Sequence, residues 1–215
     1  METADTPRTT LPAFSRLPRH VGFIPDGNRR WAEARGEARR EGYSAGILPG
    51  LDLLDLCREV GIAEVSIYGF TRDNVHRPTD QVRAFRQACA DFAFASIRRG
   101  AALLAVGDAE SPVFPEALKP FASRRSPGDL RVNLLVNYAW QWDLEPGLAR
   151  ARTAHIPRID LLVRWGGRSR LSGFLPAQCA YADLYVVESL WPDMRPEEFI
   201  DALRWYERQD VTLGG

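Results

Sequence analysis

Three segments of the chain place arginines beside the small and polar residues that bind phosphate groups in proteins. The first reads PDGNRRWAEARGEARR and follows an apolar stretch. Gly27 permits a sharp turn and Asn28 is a favoured helix cap, so backbone amides there would face an anion. Arg30 and Arg39 can clamp a phosphate, and Asp26 can hold a Mg²⁺ ion that bridges phosphate oxygens. An ordinary strand, turn and capped helix explains this segment equally well when it is taken alone.

The second segment, RWGGRSRLSGF, also follows an apolar stretch and contains no carboxylate. Arg164, Arg168 and Arg170 lie within seven residues, and with a Gly-Gly turn and the Ser172 hydroxyl they make a compact cradle for a polyanion. A solvent-exposed basic loop is the alternative, but no acidic residue is present to balance the arginines. Two such segments in one domain predict two phosphorylated substrates, and aromatic residues in the neighbouring helices predict that the rest of each substrate is apolar.

The third segment, GFTRDNVHRP, is polar and follows another apolar stretch. Its side chains can contact a phosphate or guide a departing proton. Taken alone, however, the segment is typical of a loop that leads into a helix.

The composition excludes several classes of protein. The chain has 215 residues, with 28 Lys and Arg against 28 Asp and Glu, and 45% of its residues are apolar. Disordered chains are less apolar and carry more net charge, and proteins that bind nucleic acid by its phosphates are usually basic. No apolar run approaches the roughly 20 residues of a membrane-spanning helix, and the first residues lack the apolar core of a signal peptide. We therefore expect a cytoplasmic protein that neither binds nucleic acid nor inserts stably into membranes.

Several familiar cofactor sites are not predicted. The sequence contains neither GxxxxGK[ST] nor GxGxxG, which excludes a Walker-type nucleotide site and a Rossmann fingerprint. Cys57, Cys89 and Cys179 are widely spaced and form no CxxC pair, so we predict buried thiols in a reducing compartment. The three histidines share no metal-ligand spacing, which argues against structural zinc.

Apolar runs alternate with helical patterns along the chain. The predicted strands are residues 20–24, 65–70, 102–106, 130–138, 160–165 and 184–187. They are nearly continuous in apolar residues, as are buried strands of parallel sheets. The predicted helices are residues 44–60, 78–99 and 196–208.

This alternation predicts an α/β fold, an open and mainly parallel six-stranded sheet with helices on both faces. Residues 1–18, rich in Pro and Thr, are a predicted N-terminal tail, and residues 19–215 a single catalytic domain. Such folds bind ligands beyond the carboxyl ends of their strands, which is where the three polar segments lie.

Three stretches of the chain resemble the signature regions of cis-prenyltransferases, the undecaprenyl diphosphate synthase superfamily. They are HVGFIPDGNRRWA, GFTRDNVHRP and DLLVRWGGRSRLSGFLPAQCAYADLYVVESLWPDMRPEEF. The resemblance implies a homodimer with the cis-prenyltransferase fold, in which Mg²⁺ assists ionisation of an allylic prenyl diphosphate held near Asp26. A second prenyl diphosphate, the acceptor, would lie on the loop from Arg164 to Ser172.

The resemblance also implies roles for individual residues. The implied catalytic residues are Asp26, Arg30 and Asn74. The implied substrate-binding residues are Gly27, Asn28, Arg29, Arg30, Arg39, Tyr43, Phe70, Thr71, Arg77, Arg164, Arg168, Arg170 and Ser172. The implied Mg²⁺ ligands are Asp26 and Asp183, the latter standing where the family usually has Glu.

Departures from the family pattern bear on the reaction. Tyr43 replaces a His, Val75 replaces a Trp, and Arg168 replaces the Glu that usually follows the Gly-Gly pair. These changes resemble a small bacterial branch, the lavandulyl and cyclolavandulyl diphosphate synthases, which join allylic diphosphates head to middle. We therefore expect irregular condensation of dimethylallyl diphosphate. The alternatives are regular head-to-tail condensation with isopentenyl diphosphate and a non-catalytic subunit of a heteromeric enzyme.

The length of the product is predicted to be C10, with C15 as the limit. In this family the growing chain enters an apolar tunnel, and residues 138–160 form a shorter connection here than in long-chain members. We expect Phe92, Phe94, Trp140 and Trp142 to fill what remains of the tunnel. Alternatively, these aromatic residues are ordinary core or surface residues.

Overall fold

The structure, a computed structural model, describes residues 11–210. A single sheet of six parallel strands lies at the centre of this part of the chain. The strands are β1 His20–Ile24, β2 Glu64–Thr71, β3 Ala101–Val106, β4 Leu130–Tyr138, β5 Leu161–Trp165 and β6 Asp183–Val187. Their order across the sheet is β3-β4-β2-β1-β5-β6. Every neighbouring pair is parallel, so the predicted mainly parallel sheet is confirmed.

Helices cover the sheet on both faces. They are α1 Asn28–Ala34, α2 Glu41–Ala45, α3 Ile47–Val60, α4 Thr79–Arg98, α5 Pro120–Ser123, α6 Trp140–Leu144 and α7 Pro196–Glu207. Five of the six strands are almost entirely buried, and their side chains divide between two apolar clusters. Continuous apolar strands thus occupy the centre of the fold because both of their faces are covered. Within residues 11–210, no helix has the length and apolar character needed to cross a membrane.

The predicted helix over residues 44–60 is two helices, which is a correction. α2 ends before Gly46 and α3 begins after it. The indole of Trp191 donates a hydrogen bond to the Gly46 carbonyl at 2.9 Å, so that carbonyl is satisfied where the helix breaks. A Cβ at Gly46 would lie 2.8 Å from the Trp191 ring, so this close approach requires glycine. The other predicted strands and helices agree with the structure to within one residue at each end.

The predicted tail includes a segment that contacts the domain. The Arg16 guanidinium lies 4.3 Å from the centre of the Tyr206 ring and donates a hydrogen bond to the Gln209 carbonyl at 2.9 Å. Residues 11–18 therefore lie against the end of α7, while residues 1–10 are outside the described residues. The three cysteines are free and buried, as predicted.

His20 lies in a buried polar network at the amino end of the sheet. Its ring is 2% exposed, with Nδ1 3.0 Å from the Pro157 carbonyl and Nε2 2.9 Å from the Ser66 hydroxyl. Burial lowers the pKa of His20 below its ordinary value, although the negative charges of Glu64 and Asp160 oppose this shift. The folded protein therefore takes up a proton at this ring less readily than the unfolded chain does.

This network predicts that the folded state loses stability in mild acid. As the pH falls through about 6.5, His20 is protonated in the unfolded chain first, so the free energy of unfolding decreases by up to about 1.4 kcal/mol per pH unit. Urea unfolding between pH 7.5 and 5.5 measures the slope. His20→Gln should flatten it, whereas His155→Gln, at an exposed position, should keep the wild-type slope. Equal slopes in wild type and His20→Gln would contradict the prediction.

Candidate active site

A crevice of about 490 Å³ lies at the carboxyl ends of β1, β2 and β5. It brings together most of the predicted site residues, drawn from all three polar segments. Those that line it are Asp26, Gly27, Asn28, Arg29, Arg30, Arg39, Tyr43, Thr71, Asn74, Arg77, Arg168, Arg170 and Ser172. The carboxyl ends of parallel strands meet at one edge of the sheet, which is why segments distant in sequence converge here. The excess of arginines over carboxylates makes the crevice an anion-binding site, although the whole chain carries no net charge.

Asp26 is the carboxylate at the end of β1, and it is already ion-paired. Arg164 contacts its Oδ2 at 2.8 Å, and Arg30 approaches its Oδ1 at 3.5 Å. Burial alone would raise the pKa of Asp26, but the hydrogen bond and charge of Arg164, helped by Arg30 and the Gly27 amide, hold that pKa below its ordinary value. Asp26 is therefore ionised at neutral pH and can serve a cation or orient a cationic side chain.

Arg164 does not line the crevice, which corrects its predicted contact with substrate. Its side chain is 3% exposed and lies beneath the surface, where it donates to the Ser172 hydroxyl at 2.8 Å and to the Arg170 carbonyl. Arg164 thus connects Asp26 to the segment that we call the arginine loop, residues 166–173. In this structure it is a positioning residue, and Arg168 and Arg170 are the cations that face the crevice.

This difference predicts a large loss of stability from one substitution and almost none from the other, at two arginines six residues apart. Arg164→Ala should lower the free energy of unfolding by about 2–3 kcal/mol, because it removes a buried cation and its hydrogen bonds. Arg170→Ala, at an exposed position, should change it by less than about 0.5 kcal/mol. Urea denaturation at neutral pH measures both, and equal losses in the two variants would refute the assignment.

The first polar segment forms α1, whose start differs from the prediction in one detail. The helix cap is Gly27, with φ +110°, and Asn28 is the first helical residue, so the predicted cap at Asn28 is wrong. The Asn28 side chain donates instead to the Pro25 carbonyl at 3.0 Å, which stabilises the turn. Arg39 lines the crevice with Glu33 as its ion-pair partner, so an anion that binds Arg39 must compete with that carboxylate.

A β-bulge at Gly69 turns the end of β2. The pairing of β2 with β4 shifts by one residue between Tyr68 and Phe70. As a consequence, Phe70 packs in the same apolar cluster as Val65 and Ile67. Tyr68 packs in the other cluster. Phe70 is fully buried, so its predicted contact with substrate is wrong. The bulge instead leaves the Tyr68 side chain lining the crevice.

The third polar segment contributes an amide to the crevice. The Asn74 Oδ1 accepts a hydrogen bond from the Thr71 amide at 3.1 Å. Because the oxygen of this side chain is used in the turn, its NH₂ group is the part that can donate to a ligand.

Tyr43 lies at the inner end of the crevice. Its ring stacks on Phe85 with centroids 4.3 Å apart and an interplanar angle of 2°, and its hydroxyl accepts a hydrogen bond from Arg77 at 2.9 Å. Burial lowers the pKa of Arg77. The neighbouring Tyr43 hydroxyl partly offsets this shift, and the Arg77 guanidinium stays charged at neutral pH. Tyr43 thus holds a crevice cation on one side and an aromatic wall on the other.

A small apolar pocket of about 60 Å³ continues inward from the Tyr43 and Phe85 rings. Phe92 on α4, one of the residues predicted to limit product length, lines it, and its ring packs directly on Gly50 of α3. Trp191 lies beside this contact. The pocket is small beside the crevice, and it adjoins the crevice at Tyr43, Tyr68 and Phe85.

The other three aromatic residues predicted to fill a tunnel lie elsewhere, which is a correction. Phe94 is 37% exposed and packs against Phe121 on α5. Trp140 is 46% exposed and covers the end of the arginine loop, and Trp142 packs edge-on against Tyr138. None of the three lines the pocket, which lies between the sheet, α3 and α4. Trp142 packs instead against the apolar cluster that contains Tyr138 and Phe174.

The two predicted metal ligands are not brought together within one chain. Asp26 follows the last residue of β1, whereas Asp183 is the first residue of β6 and pairs with Leu161 at the start of β5. In a parallel sheet the start of a strand lies at the edge opposite the crevice. Among residues 11–210, no group of three or more His, Cys, Asp or Glu side chains could hold a metal ion.

Sequence reasoning did not identify Tyr68, Phe85, Glu33 and Asp73, which also line the crevice. Tyr68 and Phe85 lie within apolar patterns that predict core positions, and nothing in those patterns distinguishes them from core residues. Glu33 and Asp73 lie within the first and third polar segments, and their position among the arginines of these segments is the sequence signal that could have identified them.

The chain matches a known protein family over most of its length. The family model Prenyltransf, described as undecaprenyl diphosphate synthase, matches residues 24–151 and 148–214. The isoprenyl transferase of Leptospira interrogans is 31% identical over an alignment of 232 positions, which covers 94% of this chain and 96% of that protein. The ditrans,polycis-undecaprenyl-diphosphate synthase ((2E,6E)-farnesyl-diphosphate specific) of Escherichia coli K12 is 28% identical, and the match covers 96% of this chain and 95% of that protein.

The fold also matches a solved structure, that of lavandulyl diphosphate synthase from Lavandula x intermedia in complex with dimethylallyl diphosphate. The TM-score is 0.78 at 22% identity, and the match covers 92% of this chain and 98% of that chain. At this level of identity the similarity shows the fold alone, whereas the family model and the Leptospira relative extend to the sequence of the crevice. The chain belongs to the undecaprenyl diphosphate synthase family of prenyltransferases.

Proposed function

We propose that this prenyltransferase joins two C5 allylic diphosphates, dimethylallyl diphosphate in both positions, in an irregular head-to-middle condensation that yields a C10 diphosphate. The observation that carries the proposal is the shape of the site. One crevice has arginines on two walls, and it leads into a small apolar pocket. This arrangement suits two short prenyl diphosphates, because each diphosphate needs cations and each prenyl group needs apolar surface.

The wall formed by the first segment is suited to the leaving diphosphate. Arg30 and Arg39 face the crevice beside the start of α1, and Arg77 lies at its inner end. As the bond between the allylic carbon and oxygen breaks, the electron pair stays with the diphosphate, and preorganised cations stabilise the negative charge that develops there. The prenyl group of this donor would point toward Tyr43 and the apolar pocket.

The arginine loop forms the opposite wall and is suited to the acceptor. Arg168, Arg170 and the Ser172 hydroxyl would hold the acceptor diphosphate, which keeps its phosphates throughout the reaction. The electron pair of its double bond forms the new carbon–carbon bond at C2, the double-bond carbon nearer the diphosphate. The cation left on the adjacent carbon then loses a proton, so that one diphosphate and one proton are released for each bond formed.

Asp26 fits a role as the protein ligand of Mg²⁺. Its carboxylate is ionised, 30% exposed and on the crevice, and Mg²⁺ is commonly held by one or two carboxylates together with substrate phosphates. When bound, the ion would neutralise charge on the leaving diphosphate. Binding requires Asp26 to share its carboxylate with Arg164, or to exchange that partner for the metal.

The test is incubation of the purified protein alone with labelled dimethylallyl diphosphate and Mg²⁺, with and without isopentenyl diphosphate. We expect diphosphate release and a branched C10 product without isopentenyl diphosphate. Chromatography and mass spectrometry after dephosphorylation identify the product.

A regular head-to-tail reaction is the second candidate, and the similarity to the Escherichia coli undecaprenyl diphosphate synthase favours it. It predicts that product forms only when isopentenyl diphosphate is present. No product in either condition, with activity only after a second protein is added, would favour a non-catalytic subunit. The homodimer implied by the family resemblance is a further proposal that analytical ultracentrifugation can test.

A further inference from the structure

We propose that Tyr68 is a positioning residue, whose hydroxyl fixes the backbone of Ser172 and thereby holds the arginine loop in its anion-binding conformation. The inference deepens the proposed function, on which it rests for the identity of the anion as a diphosphate. The geometry of the loop itself is independent of that identity.

Ser172 has a backbone conformation that needs support. Its φ is +50°, in the left-handed region that residues with a side chain rarely adopt and that persists only when the surroundings fix it. Two buried side chains hold it from different sides. Arg164 donates to its hydroxyl at 2.8 Å, and the Tyr68 hydroxyl donates to its carbonyl at 3.1 Å.

Tyr68 is itself rigidly placed. It is 8% exposed, and its ring packs edge-to-face against Phe174 at 5.1 Å and Tyr138 at 6.2 Å between centroids. Burial raises the pKa of its hydroxyl well above the ordinary value, and the charge of Asp73 adds to this effect. The hydroxyl therefore stays protonated and acts as a donor, not as a base.

The rest of the loop is held through its backbone. Arg168 and Arg170 are exposed on the crevice, and within residues 11–210 neither guanidinium forms an ion pair. Their direction therefore follows the loop backbone, which Arg30 holds at the Gly166 carbonyl, Arg164 at the Arg170 carbonyl, and Tyr68 at the Ser172 carbonyl. If the Ser172 carbonyl loses its donor, the peptide can rotate and carry the Ser172 hydroxyl and both guanidinium groups away from the crevice.

Hydrogen exchange of the full-length protein, followed by mass spectrometry, tests the role. Tyr68→Phe keeps the ring and removes only the donor, so we expect amides in residues 166–173 to exchange about tenfold faster, as loss of one buried hydrogen bond implies. Tyr138→Phe is the matched control. It also removes a buried tyrosine hydroxyl from this cluster, but that hydroxyl donates to Asp143 at 2.7 Å and not to the loop. Exchange in β1 serves as the reference for any change in overall stability.

A second readout connects the loop to ligand binding. Inorganic pyrophosphate should slow exchange in the wild-type loop, and Tyr68→Phe should need several-fold more pyrophosphate for half-maximal protection. Unchanged loop exchange in Tyr68→Phe, or equal acceleration in Tyr138→Phe, would overturn the proposal. Absence of pyrophosphate protection in all three proteins would count against the proposed function, while the exchange rates without ligand would still decide the role of Tyr68.

Discussion

Asp26→Asn is expected to lower turnover of dimethylallyl diphosphate at least about a hundredfold while the protein keeps its fold. Asparagine preserves the shape of the side chain and leaves an oxygen that can accept the hydrogen bond from Arg164. The substitution removes the negative charge, which is the property that Mg²⁺ binding needs. Steady-state turnover at saturating substrate and Mg²⁺ measures the effect. Asp26→Ala is less informative because it also strips the buried Arg164 of its partner.

Glu33→Gln provides the matched control for Asp26→Asn. Glu33 is another carboxylate that lines the crevice and pairs with an arginine, Arg39, but that pair is about half exposed. Neutralising it should change turnover by less than about tenfold, since exposed ion pairs contribute little. Circular dichroism and thermal melting check the fold of both variants. A folded Asp26→Asn protein with near-normal turnover would refute the assigned role of this carboxylate.

The fold could be predicted from the sequence because its strands carry a strong local signal. Runs such as those of β3 and β5 are apolar at nearly every position, and this pattern occurs where both faces of a strand are covered. The break at Gly46 was not predictable, since it depends on Trp191, which is 145 residues away in the chain. Local patterns therefore predict elements well and predict their interruptions by distant side chains poorly.

The sequence predicted which segments form the site, but it did not predict the positions of several individual side chains. Spacing placed Arg164 with Arg168 and Arg170, but the last residues of a buried strand point into the protein while the following loop is exposed. Phe70 was misplaced because a single bulge reverses the alternation of side chains along β2. Asp183 was misplaced because its metal-binding role came from the family resemblance, although the predicted strand over residues 184–187 already places Asp183 at the start of a strand and so at the opposite edge of the sheet.

The direction of individual aromatic side chains on α4 was likewise not predictable from the sequence. Phe92 and Phe94 are two positions apart on α4, so they face different directions, and the sequence alone does not say which one points inward. In the structure Phe92 is 7% exposed and lines the apolar pocket, while Phe94 is 37% exposed on the outside. This pair offers a direct test of what limits the length of the product.

Phe92→Leu is expected to let the enzyme accept a longer donor. The Phe92 ring lies against Gly50 and limits the inner side of a pocket of about 60 Å³, so a smaller side chain leaves space for additional methylene groups. A filled pocket rejects extra methylenes sharply because overpacking is costly. We expect kcat/KM for geranyl diphosphate as the donor to rise about tenfold or more relative to dimethylallyl diphosphate, with C15 product appearing. Leucine is preferred to alanine because Phe→Ala at a buried site costs about 3–5 kcal/mol of stability.

Phe94→Leu is the control that separates pocket depth from a general loosening of α4. It makes the same change on the same helix, at a side chain that packs on Phe121 and does not reach the pocket. Its preference between the two donors should equal that of the wild type, with C10 as the product. Chromatography of dephosphorylated products from mixtures of the two donors gives the preference in one experiment. Polyprenols longer than C15 from the wild type would refute the proposed product length. A shift of equal size in both variants would show instead that the packing of α4 against α3 sets the length, and not the depth of the pocket at Phe92.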